Sequence, residues 1–301
     1  MALTPRSIMH PEDAAALDKL ESLPLFTPLV KSFIKMFDER FLNRVTSLHY
    51  IRLGPGQLPE IHEVLVDVCQ RLHLNVPQLY LEVHHEPFSY TLEASNRYII
   101  VSSSLLDKLS LEQIRVVFAH ECGHIFFNHV LYRTMTKMLI RYGGELPKPM
   151  STLSVPLRIA LLYWYLRSEL SADRVAAVIT GDIRPVADTL FLTAETPADI
   201  VASLNLQKIV EQTASLASDQ DSTIQRLMES LILSDNEHPF TTSRIEALLN
   251  WEKSPDWPNL LDNPSPECQH CHHPLHYDDS QCRHCGEINP EAIGINHSLN
   301  E

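Results

Sequence analysis

His120-Glu121-Cys122-Gly123-His124 is the segment of this chain whose residue types and spacing could do chemistry directly. On a helix, side chains four positions apart project from one face a turn apart, so the two imidazoles can reach a single cation. Glu121, about 100° round the helix, would then face a water held by that cation and could serve as its base. The pattern therefore predicts metal-assisted hydrolysis with zinc as the metal, and zinc in such a site needs three protein ligands and one open position.

The surrounding residues predict the helix that this arrangement needs. Ser110 stands three residues before Gln113 as a capping box, and Leu111, Ile114, Val117 and Phe118 follow at helical spacing. The apolar pattern continues through Ile125, Phe126, Phe127 and Val130 without a proline, which places both histidines in mid-helix. Extrapolated along that helix, His129 points away from the ligand face and reads as structural.

The third ligand has to come from elsewhere, because Phe127 and Val130 occupy the places where a metzincin extension would carry Gly and His. Three glutamates are candidates. Glu145 sits in the loop-like Gly143-Gly144-Glu145-Leu146-Pro147, and Glu195 precedes Thr196-Pro197 at an expected helix end. Glu169 lies inside a helical stretch from about Pro156 to Thr180, with Asp173 four residues on along the same face. Glu169 is the best placed as ligand, and Asp173 as the group that fixes an imidazole's tautomer. The competing reading of this segment is a solvated acidic face paired with Arg167 and Arg174.

Taken with Glu169-Leu-Ser-Ala-Asp173-Arg174, the His-Glu-Cys-Gly-His segment resembles the paired signature of the HtpX and CAAX prenyl protease (Ste24-like) family of zinc metallopeptidases. Tyr98 to Ser110 resembles the strand and short helix that precede the metal helix in that family, and His238-Pro239 to Leu248 resembles its His-Pro loop and following helix. The likeness covers roughly residues 60 to 250. It implies His120, His124 and Glu169 as zinc ligands, Glu121 as general base and then acid, and Asp173 behind the ligands. His238 would steady the developing oxyanion, hold the metal in a latent state, or only cap a turn before Thr241. The sequence departs from the family at Pro87-Phe88-Ser89-Tyr90-Thr91, where an Asn-Ala pair before an aromatic is usual. That segment belongs to the strand expected to flank the substrate.

A second metal motif closes the chain. Cys268-Gln-His-Cys271 and Cys282-Arg-His-Cys285 are separated by ten residues, a spacing that lets two tight turns converge on one tetrahedral zinc. Histidines 270, 272, 273, 276 and 284 compete for the role, but four thiolates suit a closed structural site better.

Composition sets the outer bounds. With 301 residues, 44% of them hydrophobic, the chain can bury one sizeable core plus a small module. A formal charge of −14 argues against nucleic-acid binding. The longest apolar run, Ile159 to Leu166, is eight residues between two arginines, whereas a span needs about 20. No leader-like apolar stretch opens the sequence, so the expectation is a soluble, cytoplasmic protein.

The expected fold class is α+β, mainly α: a gluzincin-type metalloprotease core with a small β-sheet, plus a C-terminal zinc ribbon. Residues 1–55 form a helical region packed on the core, residues 10 to 53 reading as two amphipathic helices, the second from about Pro28 to Leu48. Residues 56–253 form the metallopeptidase domain, in which 133 to 156 reads as a long connection able to act as a lid, and helices fill 184 to 250. Residues 254–266 are a Pro-rich linker, 267–288 the ribbon and 289–301 a frayed tail. The function expected is a zinc endopeptidase with two zinc ions, one catalytic and one structural, acting on protein or peptide substrates, with the ribbon as a docking module. The alternative is a latent zincin-fold adaptor that recruits partners through the ribbon.

Overall fold

The computed structural model describes residues 5–36, 49–93, 97–142, 155–216, 241–255, 257, 267–276 and 279–289. Its architecture is mainly helical with a small mixed sheet. The chain opens with α1 (Pro5–Ile8), α2 (Pro11–Glu21) and α3 (Phe26–Met36), followed by β1 (Ile51–Leu53) and α4 (Pro59–Arg71). Next come β2 (Gln78–Glu82), β3 (Ser89–Glu93), β4 (Arg97–Ser102) and the short α5 (Ser103–Lys108). The metal-motif helix α6 (Leu111–Phe126) leads to α7 (Val130–Tyr142) and the long α8 (Val155–Thr180). Helices α9 (Ile183–Thr193), α10 (Ala198–Ser203), α11 (Leu206–Leu216) and α12 (Thr241–Glu252) complete the helical part.

The sheet order is β1-β2-β4-β3, with β2 and β4 parallel and the two outer strands antiparallel to their neighbours. Alternation along β4 sends Ile99 and Val101 into the helical core, while Tyr98 and Ile100 join Tyr80 on the opposite face. Strand β3 is therefore a sheet edge, and it lies against α6 and α7.

Helix α6 forms where the sequence predicts it. Ser110 accepts from the Gln113 backbone N–H while the Gln113 side chain accepts from the Ser110 N–H, a complete capping box. From Val116 to Phe126 every residue of α6 is buried. Its most extensive partner is α8, and Gly123 makes that approach possible: a Cβ there would lie 3.0 Å from Ala172 Cα and 3.2 Å from Val175 Cβ. A second core joins Phe26, Val30 and Phe33 of α3 to Tyr132 and Met135 of α7 and Trp164 of α8. Residues of the N-terminal region thus pack on both metal-motif elements' surroundings.

Three expectations need correction. Residues 10 to 53 are not helical to their end, because Ile51, Arg52 and Leu53 pair with Leu81, Tyr80 and Leu79 as a strand. The connection expected over 133–156 is helical up to Tyr142, since no proline interrupts 130–142 and Met135 finds buried partners; α8 has already begun at Val155, and 143–154 lie outside the described residues. Nor does α6 run on to His129, which its C-terminal turn redirects. Residues 37–48, 217–240 and most of the linker and tail also lie outside the described residues.

Candidate metal centre

Helix periodicity brings His120 and His124 together as predicted, their ring centroids 4.9 Å apart and their planes nearly perpendicular. From α8, Glu169 Oε2 reaches within 3.4 Å of His120 Nε2, and Oε1 within 3.5 Å of His124 Nε2. One donor atom from each of the three lies within 4.8 Å of the others. All three side chains are buried, and among the described residues His124 Nε2 has no hydrogen-bond partner although it is enclosed. An enclosed, unsatisfied nitrogen aimed at a carboxylate and beside a second imidazole fits a divalent cation of borderline softness, zinc above all.

Behind these groups lies a buried ionic frame. Asp173 Oδ1 sits 2.9 Å from His120 Nδ1, which leaves Nε2 of that ring for the metal side. Arg244 of α12 grips Asp173 through two donors, Nε to Oδ2 at 2.7 Å and Nη2 to Oδ1 at 2.6 Å, and its Nη1 lies 3.2 Å from Glu169 Oε2. Arg133 of α7 approaches Glu169 Oε1 at 2.5 Å, donates to Ser168 Oγ at 2.9 Å and lies over the Tyr165 ring. Two guanidiniums thus flank the carboxylate expected to ligate.

Electrostatics divide the two imidazoles. Burial, then the Arg133 charge, hold His124 well below the usual histidine range, leaving the neutral form that can ligate. Burial acts against the charge of His120 too, but hydrogen bonds to Asp173 and Glu169 outweigh it and lift that ring to about 9. A cation taken up on Nε2 of His120 would have to compete with a proton there. Burial disfavours ionised Asp173, yet Arg244 overcomes it and holds the carboxyl below its ordinary range.

Glu121, on the same helix, is buried and accepts two hydrogen bonds from the edge strand, from Ser89 Oγ at 2.7 Å and from Thr91 Oγ1 at 2.6 Å. These two hydroxyls come from the segment that departs from the family pattern. Ser89 and Thr91 lie two apart on β3, so both face the same side and both reach the helix.

Of the other glutamates weighed, Glu195 lies in a left-handed turn after α9 and pairs with Lys108 at 2.8 Å, remote from the histidines. Glu145 and His238 lie outside the described residues. In place of the expected pairing with Arg167 and Arg174, Glu169 and Asp173 meet Arg133 and Arg244, while Arg167 meets Glu12 and Arg174 donates to the carbonyls of Ile8 and Met9. Sequence reasoning missed Arg133, Arg244, Ser89 and Thr91 as members of the site. Arg244 had a signal, standing inside the His-Pro segment, whereas Arg133 had only its position one helical turn beyond His129.

At the other end of the chain Cys268, Cys271, Cys282 and Cys285 form a second group with ligand atoms within 4.8 Å of one another. The two halves repeat one turn: His272 N–H donates to the Cys268 carbonyl and Gly286 N–H to that of Cys282, with positive φ at both His272 and Gly286. Backbone N–H groups of Cys271 and His270 lower Cys268, and those of Cys285 and His284 help bring Cys282 down to about 7, which favours the thiolate at these two positions, whereas the neighbouring sulfurs raise Cys271 and Cys285. Three of the neighbouring histidines are engaged elsewhere, His273 stacked on His284 and His276 2.9 Å from Asn75. Asn75, between α4 and β2, also accepts from Arg283 and donates to Asp279, joining this module to the sheet-bearing part.

The sequence profile of Peptidase family M48 matches residues 55–252, the span that carries His120, Glu121, His124, Glu169, Asp173 and Arg244. The chain belongs to peptidase family M48. Among curated M48 relatives it is 25% identical over 254 residues to the plastoglobule-localized metallopeptidase 48, chloroplastic, of Arabidopsis thaliana, covering 84% of this chain and 74% of the relative. It is 26% identical over 164 residues to protease HtpX homolog 2 of Methanosarcina mazei, covering 46% of this chain and 56% of that protein. A protease HtpX homolog of Ralstonia nicotianae is 24% identical over 156 residues, 44% of this chain and 54% of its own length. The chain therefore spans little more than half of these two HtpX homologs. No solved structure gives a significant match. Among the described residues no helix is long and apolar enough to cross a membrane.

Proposed function

We propose that this M48 chain is a zinc-dependent endopeptidase of the gluzincin type, in which His120, His124 and Glu169 hold the catalytic zinc and Glu121 is the general base. The convergence of two imidazoles from α6 with one carboxylate from α8, all within 4.8 Å, carries the reading. Bound there, zinc supplies a Lewis acid that makes water acidic near neutral pH and polarises a peptide carbonyl. The remaining steps belong to the protein. Glu121, one residue from His120, takes the proton of the attacking water and returns it to the leaving amine. Asp173, fixed by Arg244, keeps the His120 ring turned so that Nε2 faces Glu169.

The outer edge of β3, which pairs with no further strand among the described residues, supports an extended substrate. A peptide pairing there runs beside Glu121, because Ser89 and Thr91 of that strand already touch the Glu121 carboxylate. In this reading residues 56–253 are the peptidase domain and 267–288 a ribbon holding a second, structural zinc. Four thiolates close that coordination sphere, so the ribbon serves docking rather than chemistry.

The decisive experiment combines metal analysis with cleavage of an unfolded protein such as casein. The full chain should carry two zinc ions and lose hydrolysis on chelation. Glu121→Gln should keep both ions and lose about 100-fold or more in turnover. Hydrolysis by fully zinc-loaded Glu121→Gln at the wild-type rate refutes the role of Glu121. Two zinc ions without any hydrolysis would point instead to the adaptor.

A further inference from the structure

A second line of buried polar groups runs from His124 through His129 to Asp13 and Ser171. It begins at His124, whose Nδ1 lies 3.4 Å from Nδ1 of His129. The contact is made by the end of α6. Asn128 adopts a left-handed conformation with φ of 57°, its N–H bonds to the Ile125 carbonyl, and His129 N–H bonds back to the carbonyl of His124 at 2.9 Å. This is a Schellman turn, and it folds His129 back beneath His124. The far nitrogen of His129, Nε2, lies 3.2 Å from Asp13 Oδ2, and the same oxygen accepts from Ser171 Oγ at 2.5 Å.

Asp13 belongs to α2, outside the residues matched by the M48 profile, yet it is wholly buried, as is His129. Helix α2 is pinned in place beside α8. The His10 N–H donates to Ser171 Oγ, and the His10 side chain caps the helix by accepting from the Glu12 N–H. A carboxylate taken out of water is costly unless its lone pairs are used, and one oxygen of Asp13, Oδ1, has no hydrogen-bond partner among the described residues. Hydrogen-bond logic then runs one way along the row. A His124 that offers Nε2 to a cation carries its proton on Nδ1 and donates to His129 Nδ1. His129 in turn carries its proton on Nε2, the nitrogen that faces Asp13 Oδ2 at 3.2 Å as an ion-pair contact rather than an aligned hydrogen bond.

We infer that Asp13, acting through His129, is a positioning residue for the metal ligand His124, so that the N-terminal helix completes the zinc site of this chain. The inference rests on the zinc-site reading above. Asp173 and Asp13 then do matching jobs for the two histidines, one reaching its ring directly and the other through an intervening imidazole. The segment 1–55, expected only to pack on the core, acquires a role in metal retention.

The test uses the full chain and its Asp13→Asn, His129→Asn and doubly substituted variants, with zinc as the probe. Stepwise competition with a chelator separates the thiolate zinc from the zinc on His120, His124 and Glu169. Asp13→Asn should weaken the second of these about 10- to 100-fold and leave the ribbon zinc unchanged. The double variant should lose no more than His129→Asn alone, because both act through one row. Melting with and without zinc gives a readout that mere packing would not move: the zinc-induced rise should shrink in Asp13→Asn. Unchanged zinc affinity in Asp13→Asn, or losses that add in the double variant, overturns the inference whatever the melting temperatures. If Asp13→Asn does not fold, His129→Asn decides alone: a tenfold weakening supports the row and wild-type affinity refutes it. A wild-type chain that binds only the ribbon zinc overturns the zinc-site reading itself.

Discussion

Replacing Gly123 by Ala tests how the two ligand-bearing helices are held at their working separation. The new Cβ would lie 3.0 Å from Ala172 Cα, 3.2 Å from the Ala172 carbonyl oxygen and 3.2 Å from Val175 Cβ. Carbon atoms rest at about 3.5–4.0 Å, so α6 and α8 must part by roughly half an ångström. Backbone atoms cannot yield as a side-chain tip would. Overpacking of this kind costs about 1–3 kcal/mol, and the gain of Ala over Gly in a helix returns about 1 kcal/mol, so stability should fall by about 0–2 kcal/mol. In a domain of this size that is a few degrees of melting temperature. The larger effect falls on the site, because Glu169 is three residues before Ala172 on the helix that has to move. Ligand sets tolerate displacements of only about 0.5 Å, so zinc affinity should drop about tenfold or more. Chelator competition and melting with and without zinc measure both quantities. A variant stabilised by about 1 kcal/mol with wild-type zinc affinity refutes the spacer role.

Three further outcomes follow from the buried polar groups. Ser89→Ala with Thr91→Val removes both hydroxyl donors to Glu121, each worth about 1.5–3 kcal/mol where the acceptor is charged; zinc content should persist while kcat falls, and unchanged kcat would show that the hydroxyls do not position Glu121. Arg244→Met strips Asp173 of its two-pronged partner and should destabilise the fold by about 3–5 kcal/mol in urea titration, a loss below 1 kcal/mol contradicting the frame described above. For His10, burial and then the Arg174 charge bring the folded value from 6.5 down to about 4. The unfolded chain therefore takes up the proton first, and the contribution to stability is present above pH 6.5 and lost as pH falls towards 4. Full enclosure would make the effect roughly 3 kcal/mol, and partial exposure cuts this to about 1–2 kcal/mol. A His10→Asn chain, which keeps the cap, should lack that acid-side decline in denaturation measured between pH 7 and 4.

The sequence carried the local parts of the site and little of its surroundings. His120, His124 and the capping box at Ser110 are readable because their spacing repeats the helix itself, and the four cysteines because two short turns need only short motifs. Glu169 and Asp173 were legible through a shared helical face. Arg133, Arg244, Ser89 and Thr91 were not, since a salt bridge between helices 36 or 71 positions apart leaves no periodic trace in either one. His129 stands outside the metal-holding group, as its spacing suggested, but its contact with His124 was not legible because extrapolating the α6 spiral ignores the left-handed Asn128 that ends it. The stretch 133–156 read as a connection because its glycines and prolines cluster after Tyr142, hiding the helical ten residues before them.

The guanidiniums of Arg133 and Arg244 bear on what happens when the cation departs. Glu169 does not face an empty, low-dielectric cavity at that moment, because positive groups at 2.5 and 3.2 Å already balance it. The hydrolytic pocket can thus be emptied and reloaded as a rigid vessel, its walls held by arginine. No such stand-in charge lies beside the cysteines among the described residues, so under the proposed function the four sulfurs would rely on a bound ion for shape. Under the proposed function, mild chelation should therefore silence hydrolysis reversibly, whereas removing an ion from the four cysteines should cost that module its architecture.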